Sequence, residues 1–229
     1  MTFDRNSLRL YLVTDHSLTA ASAFGNSYAD AMEKIVKEAL AGGVTMVQLR
    51  EKDLATREFV MLATRLKNLL VQYSETYGRH VPLIVNDRID VALACDADGV
   101  HIGQSDMPYD IARRLLGPDK IIGLSVENQS QIVEANALDV DYIGVSPVFA
   151  TPTKTDTAAP FGIEGLRMAV ETSSHPTVAI GGMNARTASE VMRTGADGIA
   201  VVSAIMGAES PCAAAMELAG ILKIRNCNA

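Results

Sequence analysis

The chain has 229 residues, of which 48% are hydrophobic, and a formal net charge of -7 at pH 7. This length fits one large domain or two small ones, and the apolar content is enough to fill a sizeable core. The negative charge argues against nucleic acid or an anionic membrane as a partner, although a local cluster of cations can still bind a small anion.

The cysteines and the apolar segments indicate a cellular setting. Cys95, Cys212 and Cys227 form no CxxC pair and are odd in number, which favours a reduced, intracellular environment. No signal peptide is visible, and no apolar run approaches the roughly 20 residues that cross a bilayer. We therefore expect a soluble, cytoplasmic protein, and a homo-oligomer is possible.

Short apolar runs rich in Val and Ile recur along the whole chain. Continuous hydrophobicity over four to eight residues is typical of strands that are buried on both faces of a parallel sheet. The predicted strands are 8–13, 44–49, 81–85, 99–102, 120–124, 141–145, 177–180 and 198–202.

Segments with helical periodicity lie between most of these strands. They are Tyr28–Leu40, Glu58–Gln72, Tyr109–Leu116, Gln129–Leu138, Glu164–Thr172, Ala185–Arg193 and Cys212–Leu222. Eight strands alternating with helices predict a single (β/α)₈ barrel domain over 1–229, with an open doubly wound sheet as the alternative. The fragments "GGVTMVQ", "DADGVHIG", "DVDYIGVS" and "GADGIAVVS" resemble one another, which suggests a repeated unit.

In such barrels the chemistry is found at the carboxyl ends of the strands. After the second strand, "QLREKD" places Gln48, Arg50 and Lys52 at alternate positions, so their side chains can share one face. Arg offers a planar fork for phosphate oxygens and Lys a compact cation. The alternative is an ordinary solvated loop.

Two carboxylates follow the third and fourth strands. Asn86 and Asp87 come directly after the third strand, and Asp106 ends "GVHIGQSD" after the fourth. One or two carboxylates, completed by substrate phosphates and water, are the usual ligands of Mg²⁺. The alternative is that Asp87 caps a helix starting near Arg88 and Asp106 caps one starting at Pro108.

Two further polar residues lie on the central strands. We expect His101, inside the fourth strand, to be a packed barrel residue rather than a catalytic base. Ser125 lies at the rim after the fifth strand, as a hydrogen-bonding residue. No acid–His pair accompanies it in the sequence, so no nucleophile is predicted.

The last two strands predict a phosphate site. "AIGGMNA" brings adjacent glycines before a helix, and "VVSA" offers the N–H and hydroxyl of Ser203. Barrels often bind phosphate there. A long polar loop after the sixth strand, about 146–162, lies between this neutral site and the cationic one in barrel order.

Motifs along the whole chain resemble thiamine-phosphate synthase. They are "LYLVTD", "QLREKD", "VNDRIDVALACDADGVHIGQSD", "GLS", "TPTKTDT", "AIGG" and "GADGIAVVSAI", in order and at similar spacing. The resemblance implies a (β/α)₈ barrel that joins 4-amino-2-methyl-5-pyrimidinylmethyl diphosphate to a thiazole ethyl phosphate. The products would be thiamine phosphate and pyrophosphate, with Mg²⁺ as the cofactor.

The resemblance also implies site residues. The pyrimidine diphosphate would contact Gln48, Leu49, Arg50, Glu51, Lys52, Asn86, Ser125 and Lys154, of which Arg50, Lys52, Ser125 and Lys154 would be catalytic. Asp87 and Asp106 would hold Mg²⁺. The thiazole phosphate would contact Thr151, Pro152, Thr153, Gly182, Val202 and Ser203.

One departure and two alternatives accompany this resemblance. Glu127 stands where family members often have His, which puts any role of that His in doubt. A thiazole tautomerase shares the barrel but tends to lose the metal acids and the cationic loop. A non-catalytic barrel that senses thiamine-related phosphates would not need leaving-group stabilisation.

Lys154 is expected to meet the leaving pyrophosphate. Lys154→Ala should lower turnover by about 10²-fold or more, the scale seen when one charge-stabilising donor is lost. The measurement is the rate of thiamine phosphate formation by the purified variant, and wild-type turnover would contradict this role.

Overall fold

Eight parallel strands form a closed barrel in chain order, which confirms the predicted fold. The computed structural model describes residues 3–20, 24, 25, 27–150 and 159–224. Each strand pairs with the next, and the last pairs with the first. The strands are β1 Leu10–Val13, β2 Met46–Leu49, β3 Leu83–Asn86, β4 Gly99–Ile102, β5 Ile121–Val126, β6 Tyr142–Val145, β7 Thr177–Ile180 and β8 Gly198–Val201.

Helices alternate with these strands and surround the barrel. They are α1 His16–Ala20, α2 Tyr28–Ala41, α3 Thr56–Tyr77, α4 Ile89–Ala94, α5 Tyr109–Leu116, α6 Gln129–Ala135, α7 Gly162–Thr172, α8 Ala185–Met192, α9 Ser203–Met206 and α10 Pro211–Ile221. Sequence periodicity missed α1, α4 and α9, because four to six residues are too short to show a 3.6-residue repeat. The assignment of 1–229 to a single domain stays a prediction.

Two observations bear on the predicted setting of the chain. Cys95 and Cys212 are free thiols, and Cys227 lies outside the described residues. In the part of the chain that the structure describes, no helix is both long and apolar enough to cross a membrane.

The hydrophobic core has two layers. The larger one lies between the strands and the surrounding helices. The smaller one fills the barrel interior and consists of Leu8, Tyr11, Val13, Met46, Ile84, Tyr142, Val178 and Ala200. Inner and outer side chains alternate along each strand, as a closed sheet requires.

A side chain at the amino-terminal face joins each odd strand to the even strand that follows it. Thr45 accepts a hydrogen bond from the Leu10 N–H at 2.8 Å. Three aspartates repeat this contact at the same distance: Leu83 N–H to Asp98, Ile122 N–H to Asp141 and Thr177 N–H to Asp197. The backbone N–H of each accepting residue donates in return to the carbonyl of the same strand residue.

We call these four reciprocal contacts, centred on Thr45, Asp98, Asp141 and Asp197, the strand clamps. They fall in the four fragments whose similarity the sequence analysis noted, so the repeated sequence unit has a structural meaning. Each clamp gives a backbone N–H at the start of an odd strand a partner of fixed position. An unpaired buried N–H would cost free energy comparable to a lost hydrogen bond.

Cations accompany the three aspartate clamps. Lys67 lies 2.8 Å from Asp98, Arg113 lies 3.2 Å from Asp141, and Arg5 pairs with Asp197. Burial by itself would raise the pKa of Asp98, but hydrogen bonds from His80, Lys67 and the Leu83 N–H lower it to about 2. The ionised carboxylate is therefore the form that stabilises the barrel.

The Asp98 clamp should make stability depend on acid pH. Because the folded pKa lies below the ordinary value of 3.8, its contribution is fully present above about pH 4 and is lost as pH falls toward 2. That contribution is about 2 kcal/mol. The measurement is the free energy of unfolding in urea for wild type and Asp98→Asn between pH 5 and 2.5, and we expect the difference to shrink on acidification.

Asp96→Asn is the matched control for this test. Asp96 also pairs with a lysine, Lys120, but its side chain is 85% exposed. Solvent screens such a pair, so the control should lose little stability at any pH. A difference for Asp98→Asn that stays constant from pH 5 to 2.5 would contradict the role of its ionised form.

Candidate active site

An open cavity of about 1170 Å³ lies at the carboxyl ends of the strands. Residues that end or follow the strands line it, including Gln48, Asn86, Ser125, Ile180 and Val202. This is the end of the barrel at which the sequence analysis placed the chemistry.

The end of β2 supplies one cationic edge. Gln48, Arg50 and Lys52 all line the cavity, as their alternation predicts. Leu49 and Glu51 occupy the intervening positions and are not among the lining residues. Leu49 is fully buried in the outer core layer, so its side chain packs against apolar neighbours.

Glu51 anchors this edge to the outer helices. Its buried carboxylate lies 2.9 Å from His16 Nδ1 and accepts a hydrogen bond from the Tyr28 hydroxyl. The His16 and Tyr28 rings stack with centroids 4.6 Å apart. The carboxylate therefore faces away from the cavity, and any contact of residue 51 with a ligand would have to come from its backbone.

Arg50 is held by the end of β1. Its backbone N–H donates to Thr14 Oγ1 at 2.9 Å, and its guanidinium lies 3.8 Å from an Asp15 carboxylate oxygen. The same carboxylate accepts from the Leu18 N–H at 3.1 Å. The buried residues Thr14 and Asp15 thus position the arginine that faces the cavity.

Asp87 and Asp106 meet across the ends of β3 and β4. Burial, a hydrogen bond to Asp106 and the charge of Asp106 raise the pKa of Asp87 to about 6, while Lys52 and Arg50 act in the opposite direction. Asp106 is fixed by the Gly103 N–H, which donates to it at 2.7 Å. The structure therefore brings together the two acids that the sequence paired.

The capping alternative for these acids is wrong. The N-cap of α4 is Arg88 and that of α5 is Pro108, and neither helix has a side-chain cap hydrogen bond. Asp87 instead has a left-handed backbone with φ 61°. A non-glycine residue held in that region marks a backbone fixed by its surroundings, often at a functional site.

The acid pair fits a magnesium ion better than a softer metal. Among the residues that the structure describes, no group of three or more His, Cys, Asp or Glu side chains is placed to hold a metal. Two hard carboxylates leave most coordination positions to water and phosphate oxygens, which is the usual magnesium arrangement. Burial first, and then the hydrogen bond and the charge of Asp106, raise the pKa of Asp87, and a divalent cation would compensate the charge of the two carboxylates.

Ser125 and His101 form a contact that the sequence did not indicate. His101 Nε2 lies 2.8 Å from Ser125 Oγ, and both residues line the cavity. His101 is 4% exposed, so it is packed as expected. Glu127, the residue that replaces the frequent His, also lines the cavity.

The ends of β7 and β8 form a neutral edge. Gly181 and Gly182 have φ values of 96° and 73°. A Cβ on Gly182 would lie 2.8 Å from the Phe149 Cβ, so only glycine lets these two segments approach. Val202 and Ser203, which directly follow the neighbouring strand β8, also line the cavity.

The loop after β6 is closed at its base. The Val148 N–H donates to the Ile180 carbonyl at 2.8 Å, and the Gly162 N–H donates to the Val148 carbonyl at 2.9 Å. The residues implied by the resemblance in this loop, Thr151, Pro152, Thr153 and Lys154, lie outside the described residues.

The cavity has further polar lining residues that sequence reasoning missed. They are Gln104, Ser105, Ser146, Asn184, Arg186, Thr187 and Glu217. Gln104 donates to the Ser125 carbonyl at 2.6 Å. Arg186 comes four residues after Gly182, so a search of the sequence for cations near the double glycine could have found it. Glu217 reaches the cavity from α10, and no motif in the neighbouring sequence indicates this position.

The barrel and its cavity are typical of enzymes that act on phosphorylated small molecules, and comparison with known proteins gives the family. Residues 10–205 match the family described as thiamine monophosphate synthase. The thiamine-phosphate synthase of Vibrio campbellii is 51% identical over 218 residues, which are 95% of this chain and 100% of that protein. That of Albidiferax ferrireducens is 53% identical over 212 residues, 93% of this chain and 90% of that protein.

Solved structures agree with this relationship. The thiamine phosphate pyrophosphorylase from Pyrococcus furiosus superposes with a TM-score of 0.81 at 41% identity, covering 96% of this chain and 97% of that one. Orotidine 5'-phosphate decarboxylase from Pyrococcus horikoshii, at 16% identity and a TM-score of 0.66, shares the fold alone. The chain belongs to the thiamine monophosphate synthase family, which confirms the resemblance.

The repulsion between the paired acids should be measurable as lost stability. In chelator at pH 8, Asp87→Asn should increase the free energy of unfolding by roughly 1 kcal/mol or more, since one pKa unit corresponds to about 1.4 kcal/mol. Asn tolerates the left-handed backbone at this position. The measurement is urea unfolding followed by circular dichroism.

Asp90→Asn is the control for this comparison. Asp90 lies three residues away and pairs with Arg88, and this partner lowers its pKa. Replacing the Asp90 carboxylate should therefore not increase the free energy of unfolding. An Asp87→Asn variant that is no more stable than wild type in chelator would show that the two carboxylates do not repel each other.

Proposed function

We propose that the protein joins 4-amino-2-methyl-5-pyrimidinylmethyl diphosphate to a thiazole ethyl phosphate. The bond between the pyrimidinylmethyl carbon and the diphosphate oxygen breaks, and its electron pair leaves with pyrophosphate. The thiazole nitrogen then bonds to that carbon, giving thiamine phosphate. The single observation that carries this proposal is one cavity with a cationic and acidic edge on β2–β4 and a neutral glycine edge on β7–β8.

Family membership supports the transferase reaction that forms thiamine phosphate. Full-length relatives at about half identity are thiamine-phosphate synthases. The tautomerase and the non-catalytic binder are not favoured. Neither alternative explains why Asp87, Asp106 and Arg50 line the same cavity.

The first substrate would bind along the edge formed by β2, β3 and β5. Arg50 and Lys52 would contact the diphosphate, with Lys154 approaching from the loop after β6. Gln48, Asn86 and Ser125 would hold the pyrimidine, and the backbone of residues 49 and 51 would complete the segment. Negative charge that grows on the leaving group is stabilised by these fixed cations.

Asp87 and Asp106 would hold Mg²⁺ against the same diphosphate. When bound, the ion would neutralise part of the charge that develops on the leaving oxygens. The carboxylates would hold it at the ends of β3 and β4, and Arg50 and Lys52 line the same cavity, where they would contact the diphosphate. The proposed reaction needs no nucleophile from the protein.

The second substrate would bind between the loop after β6 and the neutral edge. Gly182, Val202 and Ser203, with Thr151, Pro152 and Thr153, would hold its phosphate and orient the thiazole nitrogen. Holding both reactants in one cavity converts the second step into an effectively unimolecular one. Excluding water matters here, because water would trap the pyrimidine cation as an alcohol.

A direct assay tests the proposed function. Both substrates are mixed with the protein and Mg²⁺, and thiamine phosphate and pyrophosphate are measured. Equal amounts of the two products are expected. Their absence, with conversion of the thiazole compound alone, would favour a tautomerase, and binding without any conversion would favour a sensor.

Removal of the metal should abolish the reaction. With excess EDTA we expect turnover to fall by at least about 10²-fold and to recover on addition of Mg²⁺. Asp106→Asn should need a higher Mg²⁺ concentration for half-maximal rate, whereas Asp110→Asn, on the exposed start of α5, should not. Undiminished turnover in EDTA would refute a metal role for the acid pair.

A further inference from the structure

A chain of hydrogen bonds crosses the barrel interior and joins two sides of the cavity. Gln48 Nε2 donates to the Tyr11 hydroxyl at 2.6 Å, and this hydroxyl lies 2.8 Å from that of Tyr142. The Tyr142 hydroxyl lies 3.0 Å from His101 Nδ1, and His101 Nε2 lies 2.8 Å from Ser125 Oγ. We call these five residues the interior chain.

The interior chain is buried apart from Ser125, which is partly exposed. Tyr11 and Tyr142 are 0% exposed, and His101 is 4% exposed. Only the three residues Gln48, His101 and Ser125 line the cavity. Burial raises the pKa of both tyrosines well above the ordinary value, so each hydroxyl keeps its single proton.

The number of protons available on each group fixes the donor and the acceptor in every hydrogen bond of the interior chain. The Gln48 amide nitrogen can only donate, so Tyr11 accepts from it and must give its own proton to Tyr142. Tyr142 in turn donates to His101 Nδ1. A neutral imidazole that accepts at Nδ1 carries its proton on Nε2, and that proton points to Ser125 Oγ.

Two strand glycines make room for this arrangement. A Cβ on Gly123 would lie 2.4 Å from the Tyr142 hydroxyl and 2.5 Å from His101 Nδ1. A Cβ on Gly144 would lie 3.2 Å from His101 Cε1. Glycine inside a strand marks the close approach of another group. Here Gly123 makes room for both the Tyr142 and the His101 ring, and Gly144 makes room for the His101 ring and for Ile180 Cδ1.

We propose that Tyr11, Tyr142 and His101 are positioning residues that fix the hydrogen-bonding polarity of the pyrimidine subsite. Because Ser125 accepts from His101, its own proton is directed to the ligand as a donor. Because the Gln48 nitrogen is engaged by Tyr11, its carbonyl oxygen is the atom left as an acceptor for the ligand. This inference rests on the proposed function, since it assigns Gln48 and Ser125 to the pyrimidine diphosphate.

The first test separates the two nitrogens of His101. The amide nitrogen of Gln reaches about the place of Nε2, whereas that of Asn reaches about the place of Nδ1. His101→Gln should therefore keep the donor to Ser125 and retain KM for the pyrimidine diphosphate within about threefold. His101→Asn should raise that KM by about tenfold, the value of one lost hydrogen bond, and leave KM for the thiazole phosphate unchanged.

A double variant shows whether His101 acts through Ser125. In a Ser125→Ala background, His101→Asn should raise KM by less than about twofold, because the bond it breaks is already absent. Independent, additive effects of the two substitutions would overturn the proposal. So would equal rises in KM for both substrates, which indicate a general disturbance of the barrel.

The second test needs no activity. Nitrogen-15 NMR of the His101 imidazole in the wild-type protein should show the Nε2–H form, and Tyr142→Phe should remove this preference. The control is Tyr73→Phe, which removes a partly buried tyrosine hydroxyl that donates to the Leu40 carbonyl at 3.2 Å on the helical layer. It should change neither the tautomer nor either KM.

The outcomes distinguish this proposal from the proposed function. A wild-type protein that forms no thiamine phosphate overturns the proposed function, while the tautomer measurement still decides the direction of the interior chain. An Nδ1–H tautomer of His101 in wild type overturns the polarity, whatever the activity. Circular dichroism at the assay temperature confirms that each variant is folded.

Discussion

The strand clamps at the amino-terminal face set the geometry on which the cavity depends. Each clamp places a side-chain acceptor directly before an even-numbered strand. This acceptor can bind the intended N–H of the preceding odd-numbered strand only when the two strands pair in the observed register. A slip of one residue would turn every side chain of a strand to the opposite face. The clamp at Asp98 therefore also decides that Asn86 lies opposite His101 at the other end of the same strand pair.

The barrel interior is more polar than its hydrophobic strands suggest. Tyrosine hydroxyls, an imidazole and an amide are all removed from water there, and each would cost a few kcal/mol without a partner. The interior chain supplies partners to all of them in sequence. The hydrogen bonds offset the cost of burying these groups. They also connect β2 rigidly to β5, because a side chain that rotated would break the hydrogen bond to its neighbour.

The sequence was most informative where the physics is local. Continuous apolar runs located the eight strands, and the period of two along β2 correctly separated Gln48, Arg50 and Lys52 from Leu49 and Glu51. The capping interpretation of Asp87 failed because an acid before a helix looks the same whether it bonds the helix or faces a cavity. Only the backbone at φ 61° tells them apart.

Other features depend on distant parts of the chain. His101 meets Ser125 across 24 positions and Tyr142 across 41, and only the strand order brings them together. Glu51 looked like one more polar residue in "QLREKD", yet its carboxylate belongs to a contact with α1 and α2. Side-chain partners of this kind follow from barrel closure, which no short window of sequence contains.

Under the proposed function, charge at the cationic edge would couple the binding of the metal to that of the first substrate. Arg50 and Lys52 carry two positive charges, and Asp87 and Asp106 carry two negative ones when both are ionised. A multiply charged diphosphate would thus meet an edge with little net charge, and burial together with the neighbouring Asp106 already raises the pKa of Asp87. A bound divalent cation would compensate the charge of the two carboxylates and would make the net charge of the edge positive. Because such coupling is reciprocal, the diphosphate must also increase the affinity for the cation. Under the proposed function, the pair of acids would be half of a metal site that the substrate completes.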